Sequence, residues 1–226
     1  RIQSDVFKFI EREKPDVIID SAAIVGGILA NMSHPYTFLM DNMLIQNNLI
    51  DAALKNKTEN FIFLGSSCIY PKFSKQPIKE KYLLEGKLEE TNQWYATAKI
   101  SGVKLIEAIR NTTSYNYLAL MPTNMYGPND NFDLESSHVI PALIKKAYNA
   151  KIQNQKKIIL WGSGNPKREF MHVDDLASAV FFFLSNDIKS SNHLYNVGYG
   201  DDISIYKLLE IIINIFEFDC HIELDP

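Results

Sequence analysis

Tyr95 and Lys99 stand four residues apart and follow Thr91-Asn92, a pair suited to opening a helix. On a helix that spacing places phenol and ammonium on one face, within reach of each other. A neighbouring cation favours the phenolate, so the pair predicts a Tyr95 that trades a proton nearer neutral pH than the usual value of about 10. Earlier in the chain, Phe61-Ile-Phe-Leu64 is an apolar run without helical spacing, which reads as a buried strand. Gly65 ends it, and Ser66, Ser67 and Cys68 follow. In an open parallel sheet, ligands bind just outside the carboxyl ends of the strands, which is where Ser66 and Cys68 fall. Each feature alone is ordinary: Tyr-x-x-x-Lys is common on helices, and Gly-Ser-Ser after a strand is usually a turn. Their order and separation in one chain make them specific.

The elements that must position these groups alternate along the sequence. Ser4–Glu13 reads as the end of a helix, and Pro15-Asp16 as the break before a strand at Val17–Asp20. A loop of small residues, Ser21-Ala22-Ala23 and Gly26-Gly27, follows that strand and lets backbone approach a ligand or a neighbour closely. Pro35 opens a helix to about Lys55, whose apolar positions cover more than one stripe, as on a helix buried on two sides. After Phe61–Leu64 come a polar loop and the helix from about Thr91 to Arg110. Tyr117–Met121 is the next strand, left through the proline-punctuated turn Pro122-Thr123-Asn124-Met125. Asn129–Ser137 is a polar loop, a candidate lid. His138 sits at the mouth of a helix to about Ala150, with Pro141 in its opening turn. Strands at Lys157–Trp161, Leu194–Val197 and Cys220–Leu224 alternate with helices ending at Leu184 and spanning Ser204–Phe216. Asp174 reads as the cap of the first of these, and His172 with Asp174 as a structural rather than an acid/base pair. The alternation predicts a parallel α/β sheet.

Composition narrows the class. The chain has 46% hydrophobic and 22% charged residues with a formal charge of −4, an ordinary soluble balance. No apolar run approaches the roughly 18 residues of a membrane span, and no basic cluster suggests nucleic acid. Two cysteines, Cys68 and Cys220, do not make a disulfide framework, which favours a reducing, cytoplasmic setting. The five histidines are scattered without metal-ligand spacing, so no metal is expected. No Gly-x-x-Gly-x-x-Gly or Gly-x-Gly-x-x-Gly occurs, although a dinucleotide fold opens on that turn. With Arg at position 1 and an end at Leu-Asp-Pro, the chain reads as a fragment lacking the first βα unit and part of a C-terminal domain.

In Gly65-Ser-Ser-Cys-Ile-Tyr-Pro71, Tyr95-x-x-x-Lys99, Met121-Pro-Thr-Asn-Met-Tyr-Gly-Pro128 and Ser137-His-Val-Ile-Pro-Ala-Leu143, the chain resembles the extended short-chain dehydrogenase/reductase superfamily. Within it, the resemblance is to the GDP-L-fucose synthases and runs over essentially the whole sequence. It implies a Rossmann-like, doubly wound parallel sheet over residues 1–137, and a mixed region over 138–226 that includes part of a small α/β substrate-binding domain. It implies an NADP-dependent, two-step reaction on a GDP-sugar: epimerisation beside a ketone, then its reduction. Cys68 is then the epimerisation base and His138 the acid. Tyr95 donates the proton in reduction, Ser66 hydrogen-bonds the oxygen, and Lys99 tunes Tyr95 and binds ribose. The cofactor would lie against Leu64, Gly65, Ser66, Ser67, Lys99, Pro122, Thr123, Asn124, Met125 and His138, with the Ala22–Gly27 loop bordering it. Lys146, Trp161 and Arg168 would meet the GDP-sugar, although Lys146 stands where some relatives have Arg and loses that fork geometry. A plain 4-epimerase or 4,6-dehydratase has a Thr-like residue in place of Cys68. The resemblance also implies a homodimer built on the helices Pro35–Lys55 and Thr91–Arg110. The alternatives are another nucleotide-sugar epimerase or dehydratase of the superfamily, or a non-catalytic NAD(P)-binding protein.

Overall fold

The computed structural model describes residues 1–134, 136–186 and 192–225. Along the chain these form α1 (Gln3–Glu13), β1 (Val17–Asp20), α2 (Ile28–Ser33), α3 (Pro35–Lys55), β2 (Asn60–Leu64), α4 (Gln93–Thr112), β3 (Asn116–Pro122) and β4 (Asn124–Tyr126). There follow α5 (Val139–Ile152), β5 (Lys157–Trp161), β6 (Lys167–Arg168), β7 (Phe170–His172), α6 (Val173–Ser185), β8 (Leu194–Val197), β9 (Ile203–Ser204), α7 (Ile205–Phe216) and β10 (His221–Asp225). They divide into two compact units, Arg1–Thr123 with Asp175–Val197, and Asn124–Asp174 with Gly198–Pro226.

The first unit is built on a parallel sheet of order β1-β2-β3-β8. Strands covered on both faces read as continuous apolar runs, and Phe61, Ile62 and Phe63 are all fully buried. Tyr117 stacks on Phe61 with ring centroids 5.2 Å apart, and its hydroxyl donates to the Thr58 carbonyl at 2.9 Å. A buried phenol thus keeps its polar end satisfied. Helices α3 and α4 pack together through small and polar groups: Gln46 Nε2 donates to the Ala98 carbonyl at 2.6 Å and to Ser101 Oγ at 2.9 Å. The long loop between β2 and α4 is tied down at several points. Tyr70 donates to Asn196 Oδ1 at 2.5 Å, the Asn196 amide to Glu80 Oε1 at 2.9 Å, and Asn196 Nδ2 to the Ile78 carbonyl at 3.1 Å.

The second unit packs α5 and α7 over β5 and β10, which pair in parallel. Its core contains Leu143, Ala147, Ile158, Leu160, Leu209 and Ile213. Two short pairings complete it, β4 with β7 in parallel and β6 with β9 antiparallel. Ser204 caps α7, its Oγ accepting the Lys207 amide at 3.2 Å. The start of α6 corrects one expectation. Asp174 lies inside the first turn, and its amide donates to His172 Nδ1 at 3.2 Å, so the imidazole supplies the bond assigned to Asp174. Tyr126 meets the His172 ring edge-on, with centroids 5.3 Å apart. The loop Asn129–Ser137 is bonded to itself around Asp133, whose Oδ1 accepts the Ser136 amide at 3.0 Å; Glu135 lies outside the described residues.

Candidate active site

Strand β2 delivers Leu64 and Gly65 to the carboxyl edge of the sheet, and the backbone then turns through a short helical segment, Ser67–Ile69. Ser66 opens that segment, its Oγ accepting the Cys68 amide at 3.4 Å. Gly65 cannot be larger without disturbing this edge: a Cβ there would fall 2.1 Å from Met121 Cε on β3. The Gly65 amide donates to the Leu120 carbonyl at 2.9 Å, which extends the ladder to the residue before the serines.

Helix α4 brings Tyr95 and Lys99 to the same place. Lys99 is almost fully buried, and its Nζ donates to the Leu64 carbonyl at 2.9 Å. The ammonium lies 4.6 Å from the centroid of Phe63 and 5.8 Å from that of Tyr95, so two aromatic faces border a desolvated cation. Burial pulls the Lys99 ammonium below its ordinary range, against Asp20 and Cys68, which favour the charged form. Burial likewise pushes the Cys68 thiol up to about 11, with the Ser66 side chain and the Lys99 charge acting the other way. Tyr95 is raised as well, by burial first and by Cys68 second. The spacing argument expected Lys99 to draw the phenol toward neutrality. The ammonium is close, but burial and Cys68 set the direction, because a phenolate taken out of water is costly. With no ligand bound, Tyr95 and Cys68 therefore hold their protons at neutral pH.

The neighbouring strand ends complete this edge. The Thr123 amide donates to the Val197 carbonyl at 3.1 Å, while Thr123 Oγ1 is buried without a hydrogen-bond partner. After β1, the small-residue loop is pinned by Asn42 of α3, whose Oδ1 accepts the Ile24 amide at 2.8 Å and whose Nδ2 donates to the Ile24 carbonyl at 3.0 Å. Neither Asn42 nor Asp20 stood out in the sequence. Each is 1–2% exposed, and the sequence signal that would have found them is a polar residue inside an apolar stretch.

In the second unit, Asn124 and Met125 lie on β4, which pairs with β7, and Asn124 Nδ2 donates to the Glu169 carbonyl at 3.0 Å. His138 is exposed at the N-cap of α5. Lys146 Nζ lies 4.4 Å from the Trp161 ring centroid and donates to the Ile159 carbonyl at 3.2 Å. Trp161, 69% exposed, thus offers a broad apolar face with a cation against it. Arg168 is exposed on β6, its guanidinium bonded to the Lys167 carbonyl at 2.8 Å. The fold thus gathers Leu64, Ser66, Cys68, Tyr95 and Lys99 in one unit, and Lys146 with Trp161 in the other.

Both the sequence and the fold have known relatives. The profile of the NAD dependent epimerase/dehydratase family matches residues 1–198. The GDP-L-fucose synthase of Sinorhizobium fredii is 46% identical over 223 residues, which cover 99% of this chain and 70% of that protein. The GDP-L-fucose synthase of Escherichia coli K12 is 43% identical, covering 97% of this chain and 71% of its own length. Among solved structures, the GDP-mannoheptose C4 reductase MlghC of Campylobacter jejuni, with NADP bound, superposes with a TM-score of 0.91 at 31% identity, covering 99% of this chain and 76% of that one.

Proposed function

The chain belongs to the NAD dependent epimerase/dehydratase family, and we propose that it converts GDP-4-keto-6-deoxymannose to GDP-L-fucose by 3,5-epimerisation followed by 4-keto reduction. It is an NADP-dependent oxidoreductase and epimerase with a Rossmann-like sheet. The observation that carries the two-step reading is the position of Cys68. It lies one short turn beyond β2, within electrostatic range of Tyr95 and Lys99, so that a thiol accompanies the Ser-Tyr-Lys set.

The residues present fit the nicotinamide-ribose end of the cofactor. Thr123 Oγ1 is a buried hydroxyl without a partner at the strand edge, and Lys99 has three N–H donors, of which the Leu64 carbonyl takes one. Leu64–Ser67, Lys99, Pro122–Met125 and His138 are the residues we assign to it. When bound, NADPH supplies the hydride for carbonyl reduction. Tyr95, protonated at neutral pH, gives its phenolic proton to the oxygen that becomes the alcohol, and Ser66 donates a hydrogen bond to that oxygen. Lys99 holds a ribose hydroxyl and a positive charge beside the phenol.

For epimerisation, the ketone acidifies the hydrogens on the carbons flanking it, so one group must remove a proton from one face and another must return one to the opposite face. Cys68 is assigned the first role, which it performs as the thiolate, a minor form at neutral pH because burial holds the thiol up to about 11, and His138 is assigned the second. Lys146, Trp161 and Arg168 are assigned to the nucleotide and diphosphate, where the indole covers a flat ring and the guanidinium grips phosphate oxygens with two parallel donors.

The first unit is the cofactor domain and the second holds the nucleotide-sugar contacts. The enzyme acts in the cytoplasm as a homodimer. The support for the dimer is a stripe on α3, Tyr36, Met40 and Leu44, which are 72%, 38% and 39% exposed at four-residue intervals, with Trp94 of α4 also exposed. Incubation with NADPH and either GDP-4-keto-6-deoxymannose or the corresponding UDP-sugars tests the assignment. GDP-L-fucose as product is the expected result, and turnover of UDP-sugars alone overturns it.

A further inference from the structure

Strand β1 ends on a carboxylate that the assigned chemistry does not use. Asp20 is 1% exposed, as deeply buried as the aromatic residues of β2. Its Oδ1 accepts the Ala22 amide at 3.1 Å, and its Oδ2 is buried without a hydrogen-bond partner. An ionised carboxylate out of water is costly unless something compensates it. The compensation lies across one strand spacing. Asp20 is in register with Phe63 in the parallel β1–β2 pair. Register partners in adjacent strands point to the same face of the sheet. Lys99 Nζ rests over the Phe63 ring and bonds the carbonyl of the next residue, Leu64. Carboxylate and ammonium thus meet around one residue pair at the sheet edge. Neither forms a direct ion pair among the described residues, so they act through space in a site where water does not screen them.

The groups facing Lys99 are Asp20 from β1, Cys68 from the turn after β2, and Tyr95 from its own helix. At neutral pH Cys68 and Tyr95 carry protons, which leaves Asp20 as the anion among these groups; burial pushes its carboxyl above the ordinary range, while the Lys99 charge and the Ala22 amide act the other way. Among the neighbours of Lys99, Asp20 is the foremost in favouring the ammonium, and Lys99 is the foremost in favouring the Asp20 carboxylate. We propose that Asp20 is a positioning residue whose buried carboxylate is the counter-charge that holds Lys99 as an ammonium on the Leu64 carbonyl. This rests on the assignment of Lys99 to the reductive step. Removing the carboxylate leaves Lys99 desolvated and uncompensated, so its proton is lost at lower pH and the ribose contact and the charge beside Tyr95 go with it.

The test is Asp20→Asn, which keeps shape and the Oδ1 acceptor but removes the charge. Lys99 is titrated in the cofactor-free enzyme by NMR of its ε-carbon, and the pH profile of NADPH oxidation is recorded in parallel. A nearby opposite charge shifts a titration by about 1–3 units. Lys99 is therefore expected to lose its proton at least tenfold more readily in Asp20→Asn, with the alkaline limb of the activity profile moving down alongside it. Asp20→Glu is expected to recover part of both. An unchanged Lys99 titration, with only thermal stability altered, overturns the proposal. Should Asp20→Asn not fold, the reciprocal measurement decides. In Lys99→Met the Asp20 carboxyl is expected to protonate at higher pH than in the parent, and an unshifted carboxyl titration overturns it. Both titrations are independent of the sugar, so a shifted Lys99 with no turnover of GDP-4-keto-6-deoxymannose faults the functional assignment and leaves this one standing.

Discussion

Gly102 of α4 lies flat against Phe63 of β2: a Cβ on it would stand 2.5 Å from Phe63 Cζ, 2.7 Å from Cε1 and 3.0 Å from Gln46 Nε2 of α3. Three elements converge on a position with room for a hydrogen atom only. Lys99 sits three residues earlier on the same helical face, over the same ring. From that face Lys99 reaches the Leu64 carbonyl at 2.9 Å. In Gly102→Ala, helix propensity gains about 0.5–1 kcal/mol, while overpacking a filled core costs about 1–3 kcal/mol. The net is a loss of stability with α4 displaced from β2. We expect a lower Tm, and a fall in kcat larger than that of an overpacking substitution remote from the site. Calorimetry with steady-state NADPH oxidation checks this.

Asn42 holds the loop after β1 by both hydrogen-bonding groups of Ile24, and its Nδ2 also donates to the Phe38 carbonyl at 2.7 Å. Asn42→Ala leaves those groups without partners in a half-buried loop. The expected cost is about 1–3 kcal/mol in stability. Because the loop borders the assigned cofactor cleft, KM for NADPH should rise several-fold with a smaller change in kcat. Asn42→Asp keeps the acceptor for the Ile24 amide but sets a carboxylate oxygen against the Ile24 and Phe38 carbonyls, so it should not recover the affinity. Equal losses in both parameters would mean that the loop serves catalysis and not binding.

The buried thiol gives a pH prediction with a definite sign. Cys68 is pushed from its usual value near 9 up to about 11. The folded state therefore keeps a proton that the unfolded chain gives up. The stability that this lends is fully present below pH 9 and is lost as pH rises from 9 through 11. Alkylation reads the same group directly, since the thiolate is the nucleophile. In a Cys220→Ser background without ligands, the iodoacetamide rate should climb about tenfold per pH unit with no plateau until near pH 11. A plateau near pH 9 would assign an exposed, ordinary thiol.

Much of this was legible in the sequence for a physical reason. Val17–Asp20, Lys157–Trp161 and Leu194–Val197 are short apolar runs bounded by turn residues, and each is a strand with those limits. Pro35–Lys55 is likewise a helix between those residues, because proline opens it and its apolar coverage is broad. Strands of two or three residues, β4, β6, β7 and β9, carry no period: in sequence Asn124 and Met125 read as part of a turn, Lys167–His172 as the lead into a helix and Ser204 as a helix start. Sequence spacing brought Tyr95 beside Lys99 correctly but said nothing of how deeply both are buried, so the direction of the phenol's shift came out opposite. Asp20 was read as the end of a strand, since an acid closing an apolar run ordinarily faces water. His172 was seen as a partner of Asp174, but which of the two caps α6 depends on where the helix begins, a boundary of one residue.

Epimerisation and reduction should be separable by mutation, because the groups assigned to them differ. Cys68→Ser replaces the thiol with a hydroxyl far harder to ionise. General-base catalysis is worth about 10²–10⁴ in rate, so proton removal beside the ketone should slow by that order. Tyr95 and Lys99 are untouched, and NADPH should still be consumed slowly, on sugar that is incompletely epimerised. Tyr95→Phe should do the reverse. It removes the proton that the reduced oxygen requires and leaves Cys68 in place, so the exchange chemistry should persist. The measurement is deuterium uptake from D₂O at the carbons flanking the ketone, followed alongside NADPH absorbance for each variant. Wild-type deuterium exchange in Cys68→Ser would reduce Cys68 to a packing residue and remove the observation on which the two-step reading depends. Loss of exchange in both variants would instead mean that a single proton relay runs through Tyr95 and Cys68 together.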